Sequence, residues 1–494
     1  MSGVKRVAWW LVLYASAGAA QDMSPFDLSI EELGQVQVVS VSRRAEHVRQ
    51  APSAIHVITA EDIRRSGFTT LPEVLRLAPG VEVAREGAHS WTISIRGFNS
   101  DLSNKLLVLI DGRSVYSPLF AGVFWDAQDT LLADIERIEV ISGPGSTLWG
   151  TNAVNGVINI ITRSAQETRG LLVDVGSGNE ERLFAGLRYG WDMGDQGAAR
   201  AYITYADRDA SEAPTGGSAF DEWHTTRAGF RMDWEAQGTD RLKVQGDAYS
   251  ATMSDLLRGD FTLGTLPGPD MPGNVEIAGY NLLARWNREF DEDNSVRLQA
   301  YVDRTSREIP GSFNYRRSTL DIDVQHQLAA GNHRLVWGAG FRQTRDDIDN
   351  TLFATFLPEQ RTDRTFRLFA QDIVGLFSDQ LFLTLGLDLN HNDYTQFEVH
   401  PTVRLTWPIN ERSTLWSAVT RAVRIPARLN TDLELTAPVA VPGLPVPLYV
   451  NVFGSDDYEA EELLAMELGY RVQLGQSLSL DMTLFHNEYD KLQT

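Results

Sequence analysis

Beyond Ser164 the chain alternates apolar and polar residues in segment after segment. Val296, Leu298, Ala300 and Val302 alternate with Arg297, Gln299 and Asp303, and Leu320, Ile322 and Val324 with Asp321, Asp323 and Gln325. Leu381, Leu383, Leu385, Leu387 and Leu389 stand against Thr384, Asp388 and Asn390. Leu478, Leu480, Met482 and Leu484 stand against Ser479, Asp481 and Thr483. A period of two places successive side chains on opposite faces of a strand. Repeated segments of about ten residues predict a barrel wall with one face to lipid and one to the lumen. Polar stretches rich in Gly, Asp, Asn and Pro separate them, two of them long (209–222 and 435–462). Trp191, Tyr202, Tyr205, Trp234, Trp286, Tyr301, Trp337, Trp407 and Trp416 stand near segment ends, as interfacial girdles do. A soluble β-sandwich would also alternate, but the number of segments and the long loops favour the barrel.

Residues 45–165 read differently, as short strands interleaved with helices. Ile55–Ile58 predicts a strand. Thr59 and Asp62 have capping-box spacing for the next helix, and Gly67 ends it. Thr70 and Glu73 repeat the signal with Pro72 in the first turn, and Leu71, Val74, Leu75 and Ala78 share an apolar face. Strands are expected at 81–83, 93–96, 106–110, 135–141 and 157–161, with a turn at Asp111-Gly112. This is the pattern of a compact α+β domain.

The first twenty residues read as an export signal. Lys5 and Arg6 precede an apolar run from Val7 to Leu13, and Ala17, Ala19 and Ala20 supply small residues for cleavage. No later run suits a transmembrane helix, so any further crossing falls to strands. Residues 21–44 form a leader. Ser29 and Glu32 have capping spacing there, and a β-prone stretch runs from Val36 to Arg44. The net charge of −22 argues against a nucleic-acid partner, whose phosphates need a basic face. With no cysteine, neither a disulfide framework nor a thiolate metal site exists.

The densest text lies between residues 95 and 163. Its pieces are Ile95-Arg96-Gly97-Phe98, Leu107 to Arg113 (LVLIDGR), Ile135 to Val140 (IERIEV), Gly143-Pro144-Gly145-Ser146 and Gly150 to Thr162. In this order and spacing they resemble the plug domain of TonB-dependent outer-membrane receptors. The resemblance implies an α+β plug domain inside an antiparallel transmembrane β-barrel. Barrels of this family have about 22 strands. Some 330 residues after the plug, at roughly 20 per strand with its connection, give about 16. The chain also ends without the family's terminal aromatic, and the expectation is a C-terminally truncated chain with an incomplete barrel (166–494).

By position, Val38, Val39, Ser40, Val41 and Ser42 resemble a TonB box, the segment that pairs with a strand of TonB. Backbone hydrogen bonds would supply its affinity. The other reading is an ordinary first strand of the plug. Plug loops facing outward touch ligand in such receptors, which makes Arg85 and His89, and the cluster Tyr116, Phe120, Phe124 and Trp125, candidates for an anionic chelate. The aromatics would equally serve to seal plug against barrel. Arg96 resembles a plug arginine that pairs with barrel carboxylates. The family's second arginine, before the GP motif, is here Ser142.

No catalytic pattern appears. Thr151 stands where a phosphate-binding loop needs its lysine, Ser146 lacks a nucleophile-elbow pattern, and the nine histidines have no metal spacing. No metal or cofactor is expected. The expected function is therefore active uptake of a scarce, bulky solute across the cell outer membrane, driven by TonB and its inner-membrane complex. A ferric siderophore is the first candidate cargo, with cobalamin, another metal chelate or a glycan as alternatives within the family. A passive porin or an adhesive barrel is the rival from another class, and a plug of this size counts against it.

Overall fold

A computed structural model describes residues 37–493 except 45, 101, 215, 237–238, 258–270, 311–312, 352–353, 440–447 and 475–477. The export signal expected at 1–20 and the capping pattern at Ser29 lie outside the described residues.

The plug is built on a five-stranded sheet in the order Ala54–Thr59, Ile135–Ser142, Gly156–Thr162, Leu106–Ile110, Arg113–Ser114. Leu106–Ile110 runs parallel to Gly156–Thr162, and the other pairings are antiparallel. Leu106–Ile110 and Gly156–Thr162 are buried on both faces and are accordingly almost continuous apolar runs, whereas Ile135–Ser142 carries Glu136, Arg137 and Glu139. Asp111 and Gly112 take positive φ angles of 52° and 84° to make the tight turn into Arg113. A separate hairpin joins Val81–Arg85 to Trp91–Ile95. The helix Ala60–Ser66 starts on the Thr59–Asp62 capping box and stops at Gly67, whose φ is +71°. The second expected helix is only the turn Leu71–Val74 followed by a 3-10 turn. Thr70 caps nothing. Glu73 is drawn away by the Trp91 indole N–H (2.7 Å) and by Arg76 (2.5 Å). Leu71, Val74, Leu75 and Ala78 are buried, as their shared face predicts.

Around the plug runs one antiparallel sheet of 15 strands, from Gly170–Gly176 to Ser479–Asp490, each paired with its neighbour in sequence apart from three small strands. Those three (Ala354–Phe356, Leu433–Val439 and Leu448–Phe453) form a sheet of their own in the long connections. Chain spent there accounts for the difference from the sixteen or so expected. The wall is inverted relative to a soluble sheet. Leu385, Leu387 and Leu389 are 46%, 43% and 41% exposed, whereas Thr384, Asp388 and Asn390 between them are 3%, 0% and 2% exposed. Apolar side chains face out and polar ones face the plug, which suits lipid outside. Trp191, Trp234, Trp337 and Trp407 lie exposed near the short turns, as a girdle requires, but Tyr301 and Trp416 are buried inward. Strand phase, not nearness to a segment end, decides that difference.

Connections at 193–196, 292–293, 331–332, 377–380 and 411–412 are short and share one end of the wall. The opposite end carries longer ones, among them 209–222, 350–359 and 425–460. In transmembrane barrels short turns are periplasmic and long loops extracellular.

Candidate functional site

The segment Val38 to Ser42 lies against the plug sheet at the short-turn end. Gln37–Val38 pairs with Glu46–His47. Val38 and Val41 are buried against Leu107, Leu109, Ile141 and Val157. The centre of the segment is held by one carboxylate. Glu139, fully buried in the strand Ile135–Ser142, accepts from Val39 N (3.1 Å), Ser40 N (2.9 Å) and Ser40 Oγ (2.5 Å). Trp149 Nε1 donates to Ser40 O (2.8 Å), and Asn159 Nδ2 to Ser40 Oγ (3.0 Å). Immediately after the segment, the Arg43 guanidinium meets Asp323 of the wall at 3.0 Å and sits over the rings of Trp149 and Phe369, 4.6 Å from each centroid. Backbone donors that a partner strand would use are thus already occupied. The segment must leave Glu139 before it can pair with another chain. Sequence reading missed Glu139, although an acid between Ile138 and Val140 in a covered strand is itself a signal of a buried partner.

Beside this latch, Glu46 has a carboxylate oxygen buried without a hydrogen-bond partner. Burial pushes its carboxyl up to about 7. A released segment would titrate near the ordinary value of about 4.3. The docked form therefore holds an extra proton between these values, and docking weakens as pH rises from about 4.3 through about 7. The protection factors of the Val39 and Ser40 amides, that is, their exchange relative to the intrinsic base-catalysed rate at each pH, are expected to be higher at pH 5 than at pH 8, and Glu46→Gln is expected to flatten that difference.

Ion pairs tie the plug to the wall around its circumference. Arg96 Nη2 meets Glu467 at 2.7 Å, both side chains only 6% exposed. Glu467 also faces Gly143, the residue after Ser142, where a Cβ would come within 2.8 Å of its carboxylate. Arg113 pairs with Asp303 (2.7 Å), Asp126 with Arg307 (2.6 Å), Asp134 with Arg188 and Arg200, and Lys105 with Glu461. Asp111 in the plug turn accepts from Thr162 Oγ1 (2.7 Å) and Gln245 (3.0 Å) and meets Lys243 at 3.2 Å. Burial alone would raise its carboxyl, but Lys243 and Arg231 outweigh burial and hold it well below the usual carboxylate range.

The other plug loops reach the long-loop end. Arg85 pairs with Glu180, and His89 Nε2 lies 3.1 Å from Ser254 O. Tyr116 and Phe124 are half-buried. Phe120 and Trp125 are only 8% and 7% exposed, Phe120 packing with Leu119, Tyr315 and Phe356 and Trp125 in the plug core. The exposed apolar tip is elsewhere. Arg96, Gly97 and Phe98 take successive left-handed φ angles of 59°, 90° and 62°. That strained turn accompanies an inward Arg96 and an outward Phe98. Phe98 and Leu102 are 42% and 49% exposed, and Phe98 stacks edge-on with Tyr489 at 4.9 Å. The sequence reading took the IRGF motif only as an arginine position and so passed over this tip. Among the described residues no cluster of His, Cys, Asp and Glu is arranged to hold a metal ion.

Comparison with known proteins agrees with this geometry. A model of the TonB-dependent receptor plug domain matches residues 47–157, and one of the TonB-dependent receptor-like β-barrel matches 166–494. The vitamin B12 transporter BtuB of Vibrio vulnificus is 36% identical over 92% of this chain and 70% of its own length. The iron-regulated outer membrane virulence protein of Vibrio cholerae is 25% identical over 97% of this chain and 72% of its own. In fold, the chain is similar to the ferric enterobactin receptor PfeA of Pseudomonas aeruginosa. The TM-score is 0.69 at 20% identity, with 88% of this chain and 71% of that one covered.

Proposed function

The chain belongs to the family of TonB-dependent outer-membrane receptors, and from that premise we propose that it takes up a bulky metal chelate by energised transport. A leader (21–44) following an export signal (1–20) would present Val38 to Ser42 to TonB. The plug (45–165) would then rearrange inside the barrel (166–494). One observation carries this reading. The coupling segment is docked at the short-turn end while an apolar, partly basic plug surface stands at the long-loop end. Binding on one side and pulling on the other needs that polarity. The cargo is released unaltered, so no catalytic group is assigned.

A ferric siderophore is the proposed cargo. Arg85 and His89 offer positive charge or hydrogen bonds to an anionic chelate, and Phe98, Leu102, Tyr116 and Phe124 offer flat apolar contact. A cobalamin is the second reading, favoured by the identity to BtuB. Uptake of iron-labelled ferric enterobactin and of labelled cyanocobalamin by cells with and without the gene, each with and without TonB, tests both. Gene- and TonB-dependent uptake of one probe identifies the class. Uptake of both at equal rates without TonB would point to a passive pore instead. Phe98→Ala is expected to weaken surface binding about tenfold, equivalent to about 1.4 kcal/mol. Trp125→Ala is expected to lower stability rather than affinity, because its ring is buried.

A further inference from the structure

A cavity of about 170 Å³ lies between the plug and one side of the wall. Its plug face includes Leu107, Gly112 and Trp149, and its wall face runs from Asp363 to Arg297. The strand registers give its extent along the strands. Asp363 is four residues above Arg367 on one strand. Arg367 pairs with Gly340, Gly340 with Asp323, and Asp323 with Gln299, and Arg297 lies two residues below Gln299. Six residues of rise at about 3.3 Å each make roughly 20 Å. Arg43, fixed between Trp149 and Phe369 and paired with Asp323, stands at the short-turn end of the cavity.

The charges on this wall are unequal. Arg342 has Asp321 and Arg367 has Asp388 as carboxylate partners. Arg285 and Arg297 have no carboxylate within ion-pair distance among the described residues. Arg285 donates to Gln299 (2.9 Å) and to the Asp111 carbonyl (2.5 Å), and Arg297 to Asn287 (3.0 Å). Gly112 leaves the room that Arg285 occupies, since a Cβ there would stand 2.6 Å from its guanidinium. Asp321, Asp323, Asp363 and Asp393 also line the cavity, but the six arginines there (Arg43, Arg285, Arg297, Arg342, Arg364 and Arg367) outnumber them, and an excess of guanidinium groups attracts anionic oxygens.

We propose that this cavity is the route by which cargo crosses the level of the plug, and that Arg285 and Arg297 make it selective for cargo bearing anionic oxygens, such as carboxylates or catecholates. The proposal rests on the uptake reading above. The resting cavity is too small for a bulky chelate. Arg43 directly follows the coupling segment, so a pull on that segment withdraws the arginine and extends the cavity toward the periplasm.

The absence of cysteine permits a test without any ligand. A Cβ at Gly340 would meet nothing closer than Asp323 Oδ2 at 3.5 Å, so Gly340→Cys places a thiol in the cavity without strain. In outer membranes carrying the full chain, an anionic methanethiosulfonate is expected to react with it roughly tenfold faster than a cationic one. Arg285→Gln with Arg297→Gln is expected to abolish that preference. Thr344→Cys, also on the cavity wall, serves if the first variant does not fold. Equal rates for the two reagents, or a preference that survives the double substitution, overturn the anion selectivity. Gly340→Trp, with a side chain filling the cavity, is expected to keep surface binding of ferric enterobactin or cyanocobalamin and to lose uptake. Normal uptake by a folded Gly340→Trp chain overturns the route while leaving a transporter. No TonB-dependent uptake by the unaltered chain overturns the uptake reading instead, and the thiol rates still decide the charge preference.

Discussion

Val39→Pro is expected to abolish energised uptake while leaving ligand binding and surface expression unchanged. In the docked state the Val39 amide donates to Glu139 at 3.1 Å, and proline has no such donor. A hydrogen bond to a charged group contributes about 1.5–3 kcal/mol. The Ser40 amide and hydroxyl still hold the same carboxylate, so the plug keeps its fold. Pairing with a TonB strand fares worse. It depends on backbone donors in succession, and a proline inside the segment breaks the ladder. The proposed ligand face lies at the other end of the molecule and is not touched. Val39→Ala, which keeps the amide, is expected to transport normally, because the backbone is what the partner reads. The measurement is initial uptake and equilibrium binding of labelled ferric enterobactin or cyanocobalamin by the same cells. Normal uptake by a folded Val39→Pro receptor would falsify the assignment of the coupling segment.

How much was legible in the sequence differs between wall and site, for physical reasons. A lipid-facing wall forces an alternation that is strictly local, so Leu385 to Leu389 could be read without knowing any partner. The capping box at Thr59 and the Asp111-Gly112 turn are equally local. What failed is non-local. Phe120 and Trp125 leave ligand contact and sealing of the plug equally open in sequence, because loop aromatics carry no mark of which side they face, and in the structure these two turn inward. Phe98 and Leu102 escaped notice because a run of left-handed residues, invisible in composition, sets the tip outward. The latch on Ser40 requires Glu139 to cross from another strand, and no pattern in either segment announces the other. Thr70 shows the converse failure. Its spacing was right, but Glu73 found a better donor in Trp91.

Glu467→Ala is expected to be among the most destabilising single substitutions in the chain, at about 3–5 kcal/mol. Glu467 and Arg96 are each 6% exposed and 2.7 Å apart. Removing the carboxylate leaves the Arg96 guanidinium inside the wall with no counter-charge. One of its nitrogens, Nη1, already lacks a hydrogen-bond partner. Ser142 supplies no second cation at the family's other arginine position, and Glu467 is the one carboxylate within ion-pair distance of Arg96 among the described residues, while it also faces the buried Arg404. Loss of Glu467 therefore strands Arg96 and weakens the compensation of Arg404 as well. Replacing both tells the cost of stranding from the worth of the pair. Arg96→Met with Glu467→Met is expected to melt within a few degrees of the unaltered chain, since two apolar chains avoid the desolvation that the ions must overcome. Thermal melting in detergent checks this, with protease cleavage of the plug as a second readout. If Glu467→Ala melts like the unaltered chain, the pair does not fasten the plug, and the remaining contacts around the circumference carry that load.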